Sequence, residues 1–413
     1  MIRRRQTCPR GFRMDSEPPD RAVPPPPGDP GESSQPVFAG SVAGEPPGAP
    51  PPEPGRAGGS LSLARSRLGR FASWEAALAV AVVLVFLLGV ESSSYFLGSY
   101  NLFTLCTNIG DLALMALPMT LIVMVGEIDL SVASTLALSG EALGYLWLHH
   151  WPMAAIFVVV IALGVVLGAI NGFLVTKVGL PSLAVTIGTL TLYRGLANVV
   201  LGPLTVSNFP SFYTNAGVLN VPGIPFLSWS VLFFIVLAIV FGIVLHRTPF
   251  GRSLYAIGLN KEAALHAGIR VQRVKMMLFV LSGVVCSLVG MLYTFELSSA
   301  GENIGIGFEL KVVTIVLLGG VSIFGGRGTI IGVALAAFVY AGLHSVLLLS
   351  SSFNDNDFQV VSGALLILSV LIPNLPSFVQ RGRELARRRA ARGRAAAGEA
   401  PAQIPPPTQG IAT

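Results

Sequence analysis

His246-Arg-Thr-Pro-Phe-Gly-Arg-Ser-Leu-Tyr-Ala-Ile-Gly-Leu-Asn-Lys-Glu-Ala-Ala-Leu-His-Ala-Gly-Ile-Arg-Val-Gln-Arg-Val-Lys275 is a polar island between two long apolar runs. Residues 226–245 precede it and residues 276–297 follow it, and each run is long enough to cross a bilayer. The island is therefore expected to sit in water. It carries Arg247, Arg252, Lys261, Arg270, Arg273 and Lys275 against a single acid, Glu262. Short loops rich in Lys and Arg stay on the cytoplasmic side, so the island is expected to face the cytoplasm. It is also too patterned for a plain connector. Asn260 can cap a helix, Glu262-Ala-Ala-Leu-His-Ala reads as a short helix, and Gly268 can end it. A short amphipathic helix held between two spans predicts a docking surface for a cytoplasmic partner.

The whole chain agrees with a membrane setting. Of 413 residues only 12% are charged, where a soluble domain carries about 25%. The mean hydropathy is +0.70. The net charge of +6 comes mostly from the termini and the island. It reads as a topology signal, and no recognition fold accompanies it, so no nucleic-acid partner is expected. Cys8, Cys106 and Cys286 are scattered and suggest neither a disulfide framework nor a metal site.

Outward from the island, about ten spans can be read. They cover roughly residues 72–97, 102–125, 132–148, 152–175, 180–201, 226–245, 276–297, 310–324, 329–349 and 358–372. Arg65, Arg67 and Arg70 precede the first, and an Arg-rich tail follows the last, which places both termini in the cytoplasm. The loops 298–309 and 350–357 are acidic, as suits the outside. Residues 1–70, rich in Pro, Gly and Arg, read as a disordered cytoplasmic tail. Residues 71–376 form the membrane domain and residues 377–413 a basic cytoplasmic tail in contact with lipid headgroups. The fold class is all-α and polytopic, in the cell membrane. A faint echo between residues 120–131 and 314–324, each an apolar run broken at glycine, suggests two weakly related halves.

Polar and charged residues inside or at the edge of spans are costly in lipid and point inward. Asn108, Asp111, Glu127, Asp129 and Arg194 are accordingly candidates for a translocation path. Glu127 and Asp129 have two further readings: they cap the helix that follows, or they serve as proton sites. Asp111 and Arg194 are candidates for a pair inside the bundle. No Gly-x-x-x-x-Gly-Lys-Ser/Thr run exists, since Lys177, Lys261, Lys275 and Lys311 all lack that context. No His/Cys cluster has metal spacing, and no cofactor is expected.

Glu262-Ala-Ala-x-x-x-Gly268 resembles the cytoplasmic signature of permease subunits of ATP-binding-cassette importers. Gly126-Glu-Ile-Asp-Leu-Ser-Val-Ala-Ser134 is similar to a stretch of the branch carrying ribose, xylose, rhamnose and autoinducer-2. Leu317-Leu-Gly-Gly-Val-Ser-Ile-Phe-Gly-Gly-Arg-Gly-Thr329 and Phe250-Gly-Arg-x-Leu-Tyr-Ala-Ile-Gly258 resemble two further markers of that branch. The resemblance covers residues 75–375. Glu127 and Ala133 depart from it, standing where the branch has glycine. It implies a non-catalytic subunit that pairs with a second permease subunit. Its other partners would be cytoplasmic ATP-binding subunits and an extracytoplasmic sugar-binding protein. It also implies an ATPase-coupling loop of Leu259, Asn260, Glu262, Ala263, Ala264, Gly268 and Ile269. The competing readings are a proton-coupled secondary transporter using Asp111, Glu127 or Asp129, and a membrane-embedded enzyme, against which the lack of a convergent His/Asp/Glu set argues.

Overall fold

The computed structural model describes residues 58–218, 221, 227–349, 354 and 356–372. The stretches 1–57 and 373–413, which hold most of the expected N-terminal tail and all of the basic C-terminal one, lie outside them. The described chain is helical throughout. Its helices are α1 (Gly58–Ser92), α2 (Ser99–Met124), α3 (Val132–Leu148), α4 (Met153–Phe173), α5 (Ser182–Leu201), α6 (Ser211–Val218) and α7 (Trp229–Arg247). They continue with α8 (Pro249–Leu259), α9 (Lys261–His266), α10 (Val271–Glu296), α11 (Phe308–Leu318), α12 (Ile330–Leu349) and α13 (Asn356–Ile372). A π turn, Leu174–Val178, extends α4. Among the described residues there is no strand, only an isolated bridge between Val206 and Ala300.

Each expected span coincides with a helix, but not every helix crosses a bilayer by length. Among the described residues, seven are long and apolar enough: α1 from Trp74, α2, α4 with its π turn, α5, α7, α10 and α12. Helix α3 has 17 residues, and α11 only 11. At 1.5 Å per residue α11 reaches about 16 Å, short of a hydrocarbon core about 30 Å thick. It stops because Gly319 and Gly320 follow, the latter at φ +83°, outside helical geometry. Helix α1 begins at Gly58, upstream of the expected span start near residue 72.

Burial is distributed as in a membrane bundle rather than a soluble one. Within its membrane window α2 is 89% buried and α1 only 17%. Yet α2 carries Thr107, Asp111 and Thr120, whereas α1 exposes Val80, Val83, Leu84 and Leu87. Polar side chains sit in the protein interior and apolar ones face outward, as expected where the solvent is lipid. Helix α2 is the axis, packing against α7, α10, α11 and α12. Helix α3 packs against α5 and α10, and α4 against α10.

The α4–α10 contact depends on three glycines. A Cβ on Gly283 would lie 3.0 Å from the Gly168 nitrogen and closer still to the Gly164 carbonyl. Small residues let membrane helices approach to backbone contact. Gly283→Val is therefore expected to lose about 1–3 kcal/mol by overpacking. Gly242→Ala, with nothing near its Cβ position, should leave stability close to wild type. Thermal unfolding of the purified protein in detergent distinguishes the two.

Candidate functional site

Helix α7 turns into α8 through one residue. Thr248 Oγ1 accepts a hydrogen bond from the Gly251 amide (3.3 Å), and Pro249 opens the helix. Gly251 lies against the Leu245 backbone, so the corner has no slack. Helix α8 buries Leu254 and Ile257 and exposes Arg252, giving it one apolar face. Asn260 ends α8 and begins α9. Its amide reaches Ala256 O (3.1 Å), and its Oδ1 accepts from the Ala263 amide (3.0 Å).

Helix α9 ends as its glycine demands. Gly268 has φ +80°, the Gly268 amide reaches Leu265 O, and the Ile269 amide reaches Ala264 O (both 3.0 Å). Ala264 is buried, whereas Lys261, Glu262, Ala263 and His266 are exposed. Leu259 is 64% exposed and Leu265 48%. The unit therefore shows charged groups and two bare leucines on its outer surface, and it is rigidly capped at both ends.

The inner face of α8 rests on two glycine breaks. The first follows α2, with Gly126 at φ +77°; the second follows α11, with Gly325 and Gly326 at φ +81° and +71°. The Gly326 amide donates to Met124 O (2.8 Å), joining the two breaks directly. Tyr255 on α8 donates to Gly328 O (2.9 Å). A Cβ on Gly258 would strike Met124 O and Gly326, so only glycine lets α8 lie this close. From α1, Trp74 Nε1 donates to Leu318 O (3.1 Å), and Glu75 accepts from Thr329 Oγ1 (2.5 Å).

Polar side chains clamp the first break. Asp129 Oδ1 accepts from the Ser131 amide (3.0 Å) and hydroxyl (2.6 Å), and Oδ2 from the Ser282 hydroxyl on α10 (2.8 Å). Ser131 Oγ in turn accepts from Asn171 Nδ2 on α4 (2.7 Å). The Ile128 amide donates to Ser182 Oγ and its carbonyl accepts from Thr186, both on α5. Glu127 forms an ion pair with Lys275 on the second turn of α10. Lys275 is only 6% exposed. This corrects the expectation that the whole polar island lies in water: a cation there is drawn inward by a carboxylate on the break.

The five path candidates fall into three places. Glu127 and Asp129 belong to the clamp beside α8. Arg194, on α5, donates to Ile304 O (2.5 Å) and Gly305 O (3.4 Å). Asp111 does not pair with it, because the loop carbonyls hold the guanidinium. Asn108 and Asp111 instead line a cavity of about 170 Å³ with Tyr293, Phe308, Lys311 and Tyr340. Asp111 is 2% exposed, with the Ser230 hydroxyl on α7 and the Glu296 carboxyl on α10 beside its carboxylate. Glu141 on α3 is also buried, and among the described residues neither of its oxygens has a donor. Glu141, Glu296 and Lys275 were not singled out from sequence. The available signal was a lone charge within or beside an apolar run.

The model of one family, branched-chain amino acid transport system / permease component, matches residues 101–370. The chain is 32% identical over 310 residues to the autoinducer-2 import system permease protein LsrD of Photorhabdus temperata, covering 74% of this chain and 92% of that one. It is 30% identical over 313 residues to the ribose import permease protein RbsC of Haemophilus influenzae, covering 74% and 94%. It is 31% identical over 275 residues to the autoinducer-2 import system permease protein LsrC of Salmonella choleraesuis, covering 67% and 78%. No solved structure matches the chain. The chain belongs to this family of permease components and is a multi-pass membrane protein.

The Lys275–Glu127 pair makes a direct prediction. Removing one partner strands a buried charge, so Lys275→Met is expected to cost on the order of 3 kcal/mol. Glu127→Gln combined with Lys275→Met should recover most of that loss. A double-mutant cycle on detergent-solubilised protein measures the coupling, and a value near zero sinks the clamp.

Proposed function

From that membership we propose that this chain is the permease subunit of an ATP-binding-cassette importer for a monosaccharide or similar small polyol. The curated relatives carry ribose or autoinducer-2 by name, and both are small polar solutes. The observation that carries the reading is the α8–α9 unit: a capped, exposed helix pair whose inner face touches both glycine breaks. The chain has no glycine-rich phosphate cradle of its own, so the work of nucleotide hydrolysis belongs to a partner.

In this reading the α8–α9 unit faces the cytoplasm and docks an ATP-binding subunit. About ten segments traverse or enter the membrane, with both termini inside. A second permease subunit completes the pathway, and an extracytoplasmic sugar-binding protein delivers the solute. Glu262, exposed in the first turn of α9, offers charge to the docking partner. Ala263, exposed beside it, lets the partner approach closely, while Ala264 seats the helix on the bundle. Leu259 and Leu265 supply the apolar contact, and Asn260, Gly268 and Ile269 fix the geometry.

Displacement of the unit by the partner has two routes inward. Helix α8 moves the paired breaks, and with them the ends of α2 and α11. Arg270 leads directly into α10, which Lys275 and Ser282 tie to Glu127 and Asp129. Rocking of these elements around a central path gives alternating access. Asn108, Asp111 and Arg194 stand at the other end of the bundle from this drive, where the solute would arrive.

Gly268 offers a clean test. Nothing lies near its Cβ position, so a side chain there meets no clash. The left-handed φ alone costs a non-glycine residue roughly 1–2 kcal/mol. Gly268→Val is expected to leave the bundle folded but cut ATP-driven uptake at least tenfold in proteoliposomes holding the full complex. Uptake by wild type that survives ATP depletion and stops with a proton ionophore overturns the reading in favour of a proton-coupled carrier. Labelling of Leu265→Cys in intact cells by an impermeant maleimide overturns the sidedness.

A further inference from the structure

The cavity beside Asp111 is built from one end of the bundle only. Its walls come from the first half of α2, the last turns of α10, the first turns of α11, the last turns of α12 and the start of α13. The opposite ends of these helices are the ones near α8 and the glycine breaks. The cavity end carries the acids Glu302, Glu309 and Asp357 beside Lys311 and Arg194, and the α8 end carries Arg247, Arg252, Lys261, Arg270 and Arg273 beside Glu127 and Glu262. Resting on the importer reading, we infer that this cavity is a receiving site for one polyhydroxylated ring, with Asp111 as the carboxylate that accepts its hydroxyls.

Three observations support this. The first is size. A cavity of about 150 Å³ admits a six-membered ring, and this one holds about 170 Å³. The second is the spare hydrogen-bonding capacity of Asp111. The Ser230 hydroxyl on α7 and the Glu296 carboxyl on α10 are the neighbours of its carboxylate. A carboxylate offers about four lone-pair sites, so these two leave capacity for a ligand in the cavity that Asp111 lines. Vicinal hydroxyls present paired donors to one carboxylate.

The third is the character of the walls. Phe308 and Phe358 add aromatic rings to the wall, with the Lys311 ammonium 5.3 Å from the Phe308 ring centre, while Asn108 is exposed. Lys311 and His344 add polar groups along the same wall, and the Tyr340 hydroxyl is steadied by Ser362 Oγ at 2.9 Å. Such a mix of rings, amide and charge suits a solute that is polar at its edge and apolar on its faces.

The test uses the purified complex of permease and ATP-binding subunits, without the binding protein, and equilibrium dialysis with labelled D-ribose, D-xylose, L-rhamnose and L-leucine. Two variants probe the cavity. Asp111→Asn removes the charge. Ala341→Leu, on the cavity wall, fills the space and leaves every polar group in place, so it carries the test if Asp111→Asn fails to fold. One of the sugars is expected to bind wild type and to lose at least tenfold in affinity in both variants. The uptake KM in proteoliposomes should rise in parallel. Ile239→Ala, on the outward face of α7, should change neither. Wild-type sugar uptake with unaltered binding and KM in Ala341→Leu overturns the cavity and leaves the importer reading standing. Binding and uptake of leucine in place of every sugar overturns both.

Discussion

A chain that stops being helical within a membrane protein must find partners for every amide and carbonyl it frees, because lipid offers none. This constraint organises the molecule. The break after α2 hands its groups to α3, α4, α5 and α10 through Asp129, Ser131, Asn171, Ser182, Thr186 and Ser282. The break after α11 finds Met124 O, Trp74, Glu75 and Tyr255. Because Gly326 donates to Met124 O, the two breaks complete each other. Helix α8 lies over the junction, where Gly258, Gly325 and Gly326 leave out the Cβ atoms that would hold it off. The α8–α9 unit is thus seated where two breaks in the bundle's helices meet.

The same logic divides polar groups between two ends. Near α8 the buried polar groups are answered by one another, in the Asp129 network and in the Lys275–Glu127 pair. At the far end the acids are answered less fully: Asp111 and Glu296 lie against each other, and among the described residues neither Glu141 oxygen has a donor.

Much of this was legible in the sequence. The apolar runs announced themselves by hydropathy and each falls on a helix, seven of which, among the described residues, are long and apolar enough to cross a membrane. Asn260 and Gly268 act locally through cap and left-handed φ, so short-range patterns were enough to find them. What escaped were the tertiary partners. Lys275 counts as one more cation in a basic loop until Glu127, 148 positions earlier, turns out to lie beside it. Asp111 and Arg194 suggest a pair on charge alone, yet Arg194 is held by the carbonyls of Ile304 and Gly305. Glu141 and Glu296 vanish in any average over an apolar window. The shortness of α11 is likewise a matter of where two glycines stop it, which hydropathy does not resolve.

Asn260 closes α8 with its backbone amide and opens α9 with its side-chain oxygen, so one residue sets the joint between those helices. The Glu262 and Leu265 side chains take no part in either bond, so replacing them would leave the bend between the two helices in place.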